Sequence, residues 1–304
     1  MKDKKNTLAR LGEFGLIRRL TKGLKADASV AVGPGDDCAA IRVSAKEYLL
    51  LTADMLVEGV DFLAGERPEL VGRKALAVSL SDIAACGGTP RYALVSLGIP
   101  AACPYDRVAA IFNGMKRLAG RYNVNIVGGD ISRCAKLVLN ISVAGFAAKG
   151  RLVTRSGAKP GDVIFVSGSL GGSIKGRHLR FTPRVREAAY LTANFKVTSM
   201  IDVSDGLWQD LGHLMSASGT GAVIYADRLP LSGAASGIED AISSGEDFEL
   251  LFTMPLAEAS RLLRAKNGFV FRQIGFVLSG NSGMRLVGKD LRPLKVKRPG
   301  YRHF

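Results

Sequence analysis

Segments of apolar residues, bounded by Gly, Pro or Asp, recur along the first half of the chain. Their enrichment in Val, Ile, Leu and aromatic residues predicts β-strands at 48–52, 92–98, 124–127, 137–147 and 163–167. Between these strands, apolar residues recur at helical spacing, first at Leu76, Leu80 and Ile83 and then at Val108, Ile111, Met115 and Leu118. The pattern therefore predicts a first half that mixes strands with helices.

A turn-rich segment at 151–162 separates this half from a second one. After it, the pattern predicts a strand starting at Val163, a strand ending at Asp202, a helix at 207–216 and a strand at 248–253. We therefore expect an α/β protein of two domains, residues 1–149 and 150–304, each long enough to bury its own core.

Composition narrows the class of protein further. The chain has 304 residues, of which 47% are hydrophobic, and a formal net charge of +15. No apolar run reaches the roughly 18 residues that a membrane span needs, and we expect a cytoplasmic protein. Lys and Arg are concentrated toward the two ends, at 2–25 and 285–302. Because the chain has no recognisable nucleic-acid motif, we expect this charge to attract small anions rather than a nucleic acid.

Carboxylates grouped beside glycines are the feature of this basic chain that most needs an explanation. They stand at Gly35-Asp36-Asp37, Gly128-Gly129-Asp130 and Asp202-Val203-Ser204-Asp205-Gly206, with Asp54 and Asp82 in similar settings. We expect Asp54 and the Gly128–Asp130 run to end their strands, and Asp82 to lie near the end of a helix. Such groups predict a site that gathers Mg²⁺ around phosphates. Each motif alone is equally compatible with an ordinary turn or a helix cap.

Arg155 is a candidate phosphate clamp, because a guanidinium binds phosphate through two hydrogen bonds. An exposed surface arginine is the alternative. The sequence has neither the phosphate-loop pattern GxxxxGK[ST] nor the dinucleotide pattern GxGxxG, and it lacks the GxSxG motif of nucleophilic serine enzymes. His213, beside Leu211 and Leu214, is expected to be structural. A phosphotransferase without a covalent intermediate fits this set best.

Taken in order, these motifs resemble the thiamine-monophosphate kinase family of the aminoimidazole-ribonucleotide-synthetase-like (PurM-like) superfamily. The resemblance extends over nearly the whole chain, and the ordered series is far more specific than any single motif. It rests on Gly12-Glu-Phe14, Gly35-Asp-Asp37, Leu56-Val-Glu-Gly-Val60, Lys74 to Asp82, Gly128-Gly-Asp130, Arg155 to Asp162, Ile201 to Gly206, Ser244 to Phe252 and Gly300-Tyr-Arg-His-Phe304.

The resemblance implies ATP-dependent phosphorylation of thiamine monophosphate to thiamine diphosphate, with Mg²⁺, by direct in-line transfer between phosphates. It implies a homodimer whose N-terminal mixed sheets join into a barrel, with a C-terminal α/β domain on each side. It assigns metal binding to Asp37, Thr52, Ala53, Asp54, Asp82, Asp130, Asp202 and Asp205. It assigns catalysis to Asp37, Asp130 and Asp205, nucleotide contacts to Phe112, Gly129, Asp130, Arg155 and Ser204, and substrate contacts to Asp61, Glu246 and Tyr301.

Several residues depart from the family pattern around a complete acid set. Asp61 stands where the family usually has His, Ala53 where it has Thr, and Phe112 about where it has Tyr. In addition, Ile131-Ser-Arg-Cys134 replaces a Thr-Thr-Arg-Gly run, and 173–178 lacks a helix. Two alternatives therefore stay open: a divergent PurM-like ATP-dependent enzyme acting on another anionic metabolite, and a non-catalytic basic binding protein on the same scaffold. Packed carboxylates with no metal to bind would destabilise the second.

Overall fold

The computed structural model describes residues 8–266 and 268–301. Over this part of the chain it contains α-helices and β-strands in alternation, numbered here in chain order. The helices are α1 Leu8–Leu11, α2 Glu13–Thr21, α3 Pro68–Ala85, α4 Tyr105–Tyr122, α5 Val185–Asn194, α6 Leu207–Ser218, α7 Ile238–Ser243 and α8 Leu256–Arg264.

The strands form two separate sheets. Those of the first sheet are β1 Val30–Val32, β2 Ala39–Arg42, β3 Glu47–Val57, β4 Thr89–Ile99, β5 Asn125–Arg133 and β6 Val138–Ala148. Those of the second are β7 Val163–Val166, β8 Ser199–Asp202, β9 Thr220–Tyr225, β10 Leu250–Met254, β11 Arg272–Ser279, β12 Met284–Val287 and β13 Pro293–Leu294.

The first sheet has the strand order β1-β2-β3-β6-β4-β5, and all its pairs are antiparallel except the parallel pair β4–β5. Helix α4 provides the crossover that a parallel pair requires. Alternate residues of β6 are buried, because α3 and α4 cover one face of the sheet. Helix α3 is apolar on nearly every side and is buried over most of its length, between this sheet and the second half of the chain.

The second sheet has the order β13-β12-β9-β11-β7-β10-β8 and is antiparallel except for the pair β12–β9. Strands β7, β8 and β10 are buried at every residue, which explains why most of their residues are apolar. The buried polar residues in these strands are Ser199, Asp202 and Thr253. The predicted two-domain α/β class with mixed sheets is confirmed. The first sheet ends at Ala148 and the second begins at Val163, whereas the exact boundary at 149/150 stays a prediction.

Two predicted strand ends are wrong. Asp54 lies inside β3, which continues to Val57 because Met55, Leu56 and Val57 keep pairing with β6. The Gly128–Asp130 run lies inside β5, where it pairs with Leu94, Val95 and Ser96 of β4. Asp and Gly are uncommon inside strands and predict strand ends here, but pairing with a long neighbouring strand overrides such local preferences.

The stretch expected to lack a helix has no α-helix. It consists of two 3₁₀ turns, Ser173–Lys175 and Arg177–Leu179. Elsewhere, α3 begins at Pro68, whose missing N–H suits the first turn of a helix. Within the described residues, the structure has no helix of the length and apolar character that would let it cross a membrane.

Candidate active site

Four aspartates from both halves of the chain meet at one place. The carboxylate oxygens of Asp37, Asp82 and Asp202 lie within 4.8 Å of one another. Asp37 comes from the loop before β2, Asp82 from the last turn of α3, and Asp202 from the end of β8. Asp54, from the middle of β3, hydrogen-bonds with Asp82. We call Asp37, Asp54, Asp82 and Asp202 the acid cluster.

Hydroxyl groups orient the acid cluster. Strand β3 and helix α3 face each other. A threonine of β3 donates to a carboxylate of α3, and two serines of α3 donate to carboxylates of β3 and β8. Thr52 donates to Asp82 (2.5 Å), Ser79 to Asp54 (2.7 Å) and Ser81 to Asp202 (2.5 Å). Thr52 and Asp54 share the helix-facing side of β3, whereas Ala53 points to the opposite, open side because side chains alternate along a strand. Ala53 therefore offers only a backbone oxygen.

The acid cluster resists ionisation in the absence of a cation. Burial, followed by the charge of Asp37, raises the pKa of Asp202 to about 8, and only 2% of this residue is exposed. Burial also raises the pKa of Asp82 well above its ordinary value, and the charges of Asp54 and Asp202 raise it further. The pKa values of Asp37 and Asp54 are raised for the same first reason. The buried carboxylates lie close together and repel one another when ionised, so a bound cation would stabilise their charged forms.

Arg155 is a cationic side chain that contacts the acid cluster directly. Its Nη2 donates to Asp37 Oδ1 (2.8 Å) and its Nε to Asp37 Oδ2 (3.3 Å), while its backbone N–H donates to Asp36. Arg155 lies in the segment that joins the two sheets, so this two-point contact also ties the halves of the chain together. One guanidinium cannot balance the charge of four ionised carboxylates, so the cluster can bind further cations.

A second charged group surrounds Glu246. Lys74 on α3, of which 1% is exposed, forms a salt bridge with Glu246 Oε1, and its Nζ also donates to the carbonyl of Asp61 (2.7 Å). His178 Nδ1 lies 3.0 Å from Glu246 Oε2. Burial opposes the charge of Glu246, but His178 and Lys74 outweigh it and lower the pKa of this carboxyl group. Glu246 is therefore held as an anion.

The backbone around Glu246 is strained. Glu246 has φ 64° and Phe248 has φ 50°, in the left-handed region that residues with a side chain rarely adopt. Their N–H groups donate to the carbonyls of Ser204 (2.6 Å) and Val203 (2.8 Å). The turn that carries Ser204 thus fixes the conformation of the Glu246 segment, and strain held in this way is typical of functional sites.

Asp205 and Tyr301 lie together, beside the acid cluster rather than in it. The N–H of Tyr301 donates to the carbonyl of Asp205 (2.9 Å), and Gln209 Nε2 donates both to Asp205 Oδ2 and to the carbonyl of Tyr301. Asp205 also lies within 4.8 Å of Asp210 and His213. Residues 302–304, part of the terminal motif in the sequence, lie outside the described residues.

Asp61 takes part in a turn instead of pointing freely into a pocket. Its Oδ2 accepts a hydrogen bond from the N–H of Val57 (2.7 Å), and its carbonyl accepts one from Lys74. Half of its carboxylate is thus already used, which reduces the repulsion expected toward a substrate phosphate. A role of Asp61 in substrate binding stays a prediction.

Phe112, Gly129 and Asp130 line a different cavity, of about 810 Å³, between α4 and β5. Gly129 pairs with Val95, Val95 with Ile141, and Ile141 with Asp54, so Gly129 is three strands away from Asp54. At roughly 4.8 Å per strand, this separation is about 14 Å. Within one chain, the structure does not bring Asp130 to the acid cluster.

Lys74 and His178 are the site residues that sequence reasoning missed. A lysine inside the apolar sequence of α3 was the available signal for Lys74, since a buried ammonium group needs a partner. No comparable signal marked His178, because its partners Lys74 and Glu246 lie 104 and 68 positions away in the chain.

Comparison with known proteins agrees with this arrangement. The AIR synthase related protein N-terminal domain matches residues 35–147, and the corresponding C-terminal domain matches residues 139–285. A thiamine-monophosphate kinase of Rhodopirellula baltica is 40% identical over 273 residues, which cover 84% of this chain and 85% of the relative. One of Aquifex aeolicus is 36% identical, covering 98% of this chain and 99% of the relative.

Solved structures give the same result. The structure of AaThiL complexed with AMPPCP and TMP is 34% identical, superposes with a TM-score of 0.87, and covers 99% of this chain and 100% of that one. Matched at these identities over nearly its whole length, the chain belongs to the thiamine-monophosphate kinase family of the AIR synthase related proteins.

Proposed function

We propose that this chain transfers the terminal phosphoryl group of ATP directly to the phosphate of thiamine monophosphate, forming thiamine diphosphate and ADP. The observation that carries the proposal is the acid cluster, built from both halves of the chain beside Arg155. The relative of known structure, complexed with AMPPCP and TMP, supports the choice of both substrates.

The residues of the acid cluster fit Mg²⁺. They offer carboxylate oxygens, which this hard cation prefers, and their raised pKa values reflect a shortage of positive charge. Asp37, Asp54, Asp82 and Asp202 would hold the metal, with Thr52 and Asp205 as further candidates nearby. Bound Mg²⁺ supplies neutralisation of the phosphate charges that meet during transfer.

The chain's own groups then have simple tasks. The acceptor phosphate already carries an anionic oxygen, so no side chain has to remove a proton from it. Arg155, whose side chain keeps partial exposure, binds and orients phosphate oxygens. The anion Glu246, held by Lys74 and His178, faces the thiamine end together with Tyr301. Positioning rather than covalent chemistry carries the reaction.

We propose a homodimer formed through the open face of the first sheet. This face exposes large apolar side chains, which a monomer would leave in water: Leu51, Met55, Tyr92, Leu94 and Val127. Pairing two such faces into a barrel buries them. It also accounts for the separation of about 14 Å within one chain, because Asp130 and the cavity beside it lie on an edge strand available to a second copy.

We also propose a cytoplasmic location, since the proposed reaction consumes ATP. We propose no nucleic-acid partner, because the net charge of +15 suits the capture of two phosphorylated substrates.

The test is a direct assay of the purified protein with ATP, Mg²⁺ and thiamine monophosphate, with thiamine diphosphate followed by chromatography. We expect product that depends on Mg²⁺ and a turnover at least about tenfold lower in Asp82→Asn, because a carboxylate that holds the metal is lost. Asp227→Asn is the matched control, because it removes an exposed carboxylate from the 3₁₀ turn after β9, which is not part of the acid cluster. If the protein binds ATP but forms no thiamine diphosphate, the site takes another anionic acceptor and the proposal is wrong.

A further inference from the structure

A second cavity, also of about 810 Å³, lies in the C-terminal half of the molecule. Its walls are the loop that follows β7, residues between Arg177 and Glu187, the loop at Pro230 and Leu231, the segment before β10, and the start of β11 with the residues that precede it. No member of the acid cluster lines it, and neither does Glu246. Its size is that of a small-molecule site.

Four arginines line this cavity: Arg177, Arg180, Arg184 and Arg272. Arg177 and Arg184 are held in place by buried acids. Arg177 pairs with Asp247 (2.5 Å), and Arg184 pairs with Glu249 (2.7 Å) and Glu187 (2.9 Å). The three acids that line the cavity are therefore already engaged.

Arg180 and Arg272 are different. Neither has a carboxylate within salt-bridge distance among residues 8–266 and 268–301, and both are exposed to the cavity mouth. The cavity thus carries four guanidinium groups against three carboxylates, and two of the guanidinium groups keep their donors free. A guanidinium with free donors binds phosphate oxygens through paired hydrogen bonds.

The rest of the wall is apolar. Leu231 and Val270 are largely exposed, and Phe269 and Phe181 contribute aromatic surface. Phe181 is fixed by stacking on Phe248, with ring centroids 4.1 Å apart. Apolar side chains beside free guanidinium groups suit a ligand with a flat ring at one end and an anionic group at the other.

The short 3₁₀ turns leave this cavity accessible. From Gly172 to Phe181 the chain forms two single turns in place of a longer helix, and Arg180 folds back toward Gly176, where an added Cβ would lie 3.6 Å from its Nη1. This proximity keeps the Arg180 guanidinium close to its own segment, which lines the cavity at Arg177 and Phe181.

We infer that this cavity is a second ligand site, which binds a small aromatic phosphate monoester with its phosphate on Arg180 and Arg272 and its ring against Leu231, Phe269 and Val270. The inference does not depend on the proposed reaction, because the cavity and the acid cluster share no residue.

The test uses phenyl phosphate as the probe and isothermal titration calorimetry as the measurement. The full-length protein is first saturated with Mg²⁺ and AMPPCP, and thiamine monophosphate is left out because it is itself an aromatic phosphate monoester and would fill the inferred site. We expect one equivalent of phenyl phosphate to bind. In the double variant Arg180→Ala and Arg272→Ala, we expect affinity to fall at least about tenfold, because both charge-assisted contacts are lost.

Arg285→Ala on β12 is the matched control, since it removes one positive charge of the same sheet outside the cavity. Circular dichroism and thermal melting check that each variant folds. Unchanged affinity in the double variant would place the ligand elsewhere and overturn the inference, and so would the absence of binding. Equal affinity for inorganic phosphate would show that the ring contributes nothing and would overturn the assignment of an aromatic ligand.

Discussion

At the scale of single residues, Asp202 makes the stability of the protein depend on pH and on Mg²⁺. Its pKa is about 8 in the folded chain against an ordinary value of 3.8, because of burial and the charge of Asp37. Without metal, its contribution to stability is therefore complete below pH 3.8 and is lost as the pH rises toward 8. In the folded chain, Mg²⁺ has to displace the proton of Asp202 below about pH 8, but not above it.

We therefore expect saturating Mg²⁺ to raise the melting temperature by a few degrees more at about pH 8.5 than at about pH 6. Scanning calorimetry at both pH values, with and without Mg²⁺, measures this difference. Asp202→Asn should reduce it, whereas Asp227→Asn should behave as the unmodified chain. An equal Mg²⁺ effect at both pH values would contradict the metal assignment.

Substitution of Lys74 tests whether its ion pair with Glu246 stabilises the fold. Lys74→Met leaves Glu246 without its lysine partner in a largely buried position, and we expect a loss of about 3 kcal/mol in the free energy of unfolding. Adding Glu246→Gln removes the unpaired charge and should recover most of this loss. Urea denaturation of the single and double variants decides the matter: a double variant that is no more stable than Lys74→Met rules out the ion pair as the cause.

Some residues of this site can be predicted from the sequence and others cannot. The acids could be predicted because each stands in a short motif with Gly or Ser beside it. The Lys74–Glu246 pair could not be, since its members are 172 positions apart and meet only when α3 packs against the C-terminal half. Local motifs reveal ligands, whereas the groups that hold those ligands in place depend on tertiary packing.

At the scale of elements, glycines set how closely α3 and α4 approach. A Cβ on Gly114 of α4 would lie 2.0 Å from the carbonyl oxygen of Glu69, and one on Gly72 of α3 would lie 1.9 Å from that of Ile111. Such contact between helix backbones is possible only without side chains. The crossing fixes α3, and α3 carries Ser79, Ser81 and Asp82 into the site.

Gly114→Ala should therefore destabilise the protein by about 2 kcal/mol or more, because neither backbone can move away without disturbing the sheet below. Gly120→Ala is the matched control on the same helix: no heavy atom lies within 4 Å of its added Cβ. It should stabilise by about 0.5–1 kcal/mol, since alanine favours the helix. Chemical denaturation compares the two, and a destabilisation of equal size would contradict the role of close packing.

Elements were predicted more reliably than their ends. The helices and strands that the periodicity of apolar residues predicts in the first half are present, whereas α1, α2, β1 and β2 have no counterpart in the prediction. Strands β3 and β5 nevertheless run past Asp54 and past Gly128–Asp130, because pairing with β6 and β4 continues through these residues. A sequence shows the preference of each residue for a strand but not the length of the neighbour with which it pairs.

At the scale of the whole molecule, Asp130 lies apart from the acid cluster of its own chain. The first sheet has an open apolar face and an edge strand, β5, that carries Asp130 about 14 Å from the acid cluster of its own chain. The motif order predicted that all these acids share one site, and the fold of one chain does not unite them. In a homodimer, Asp130 of the partner subunit can serve the cluster of this one.

Mixing two inactive variants tests that arrangement. We expect Asp82→Asn and Asp130→Asn each to lose at least about tenfold in turnover. After exchange of subunits, half of the dimers carry one variant of each kind. If each site combines an acid cluster with Asp130 of the partner subunit, one site of such a dimer holds both defects and the other holds none. About a quarter of the activity of the unmodified protein should then return.

The control is a mixture of Asp82→Asn with Asp37→Asn, both in the acid cluster, which should recover nothing because every site keeps one defect. Recovery in the first mixture and not in the second can arise only from a site shared between two chains. If neither mixture recovers although co-purification through an affinity tag on one variant shows mixed dimers, each site uses its own Asp130. The bound substrates would then have to span the distance across β6 and β4 between Asp130 and the acid cluster of the same chain.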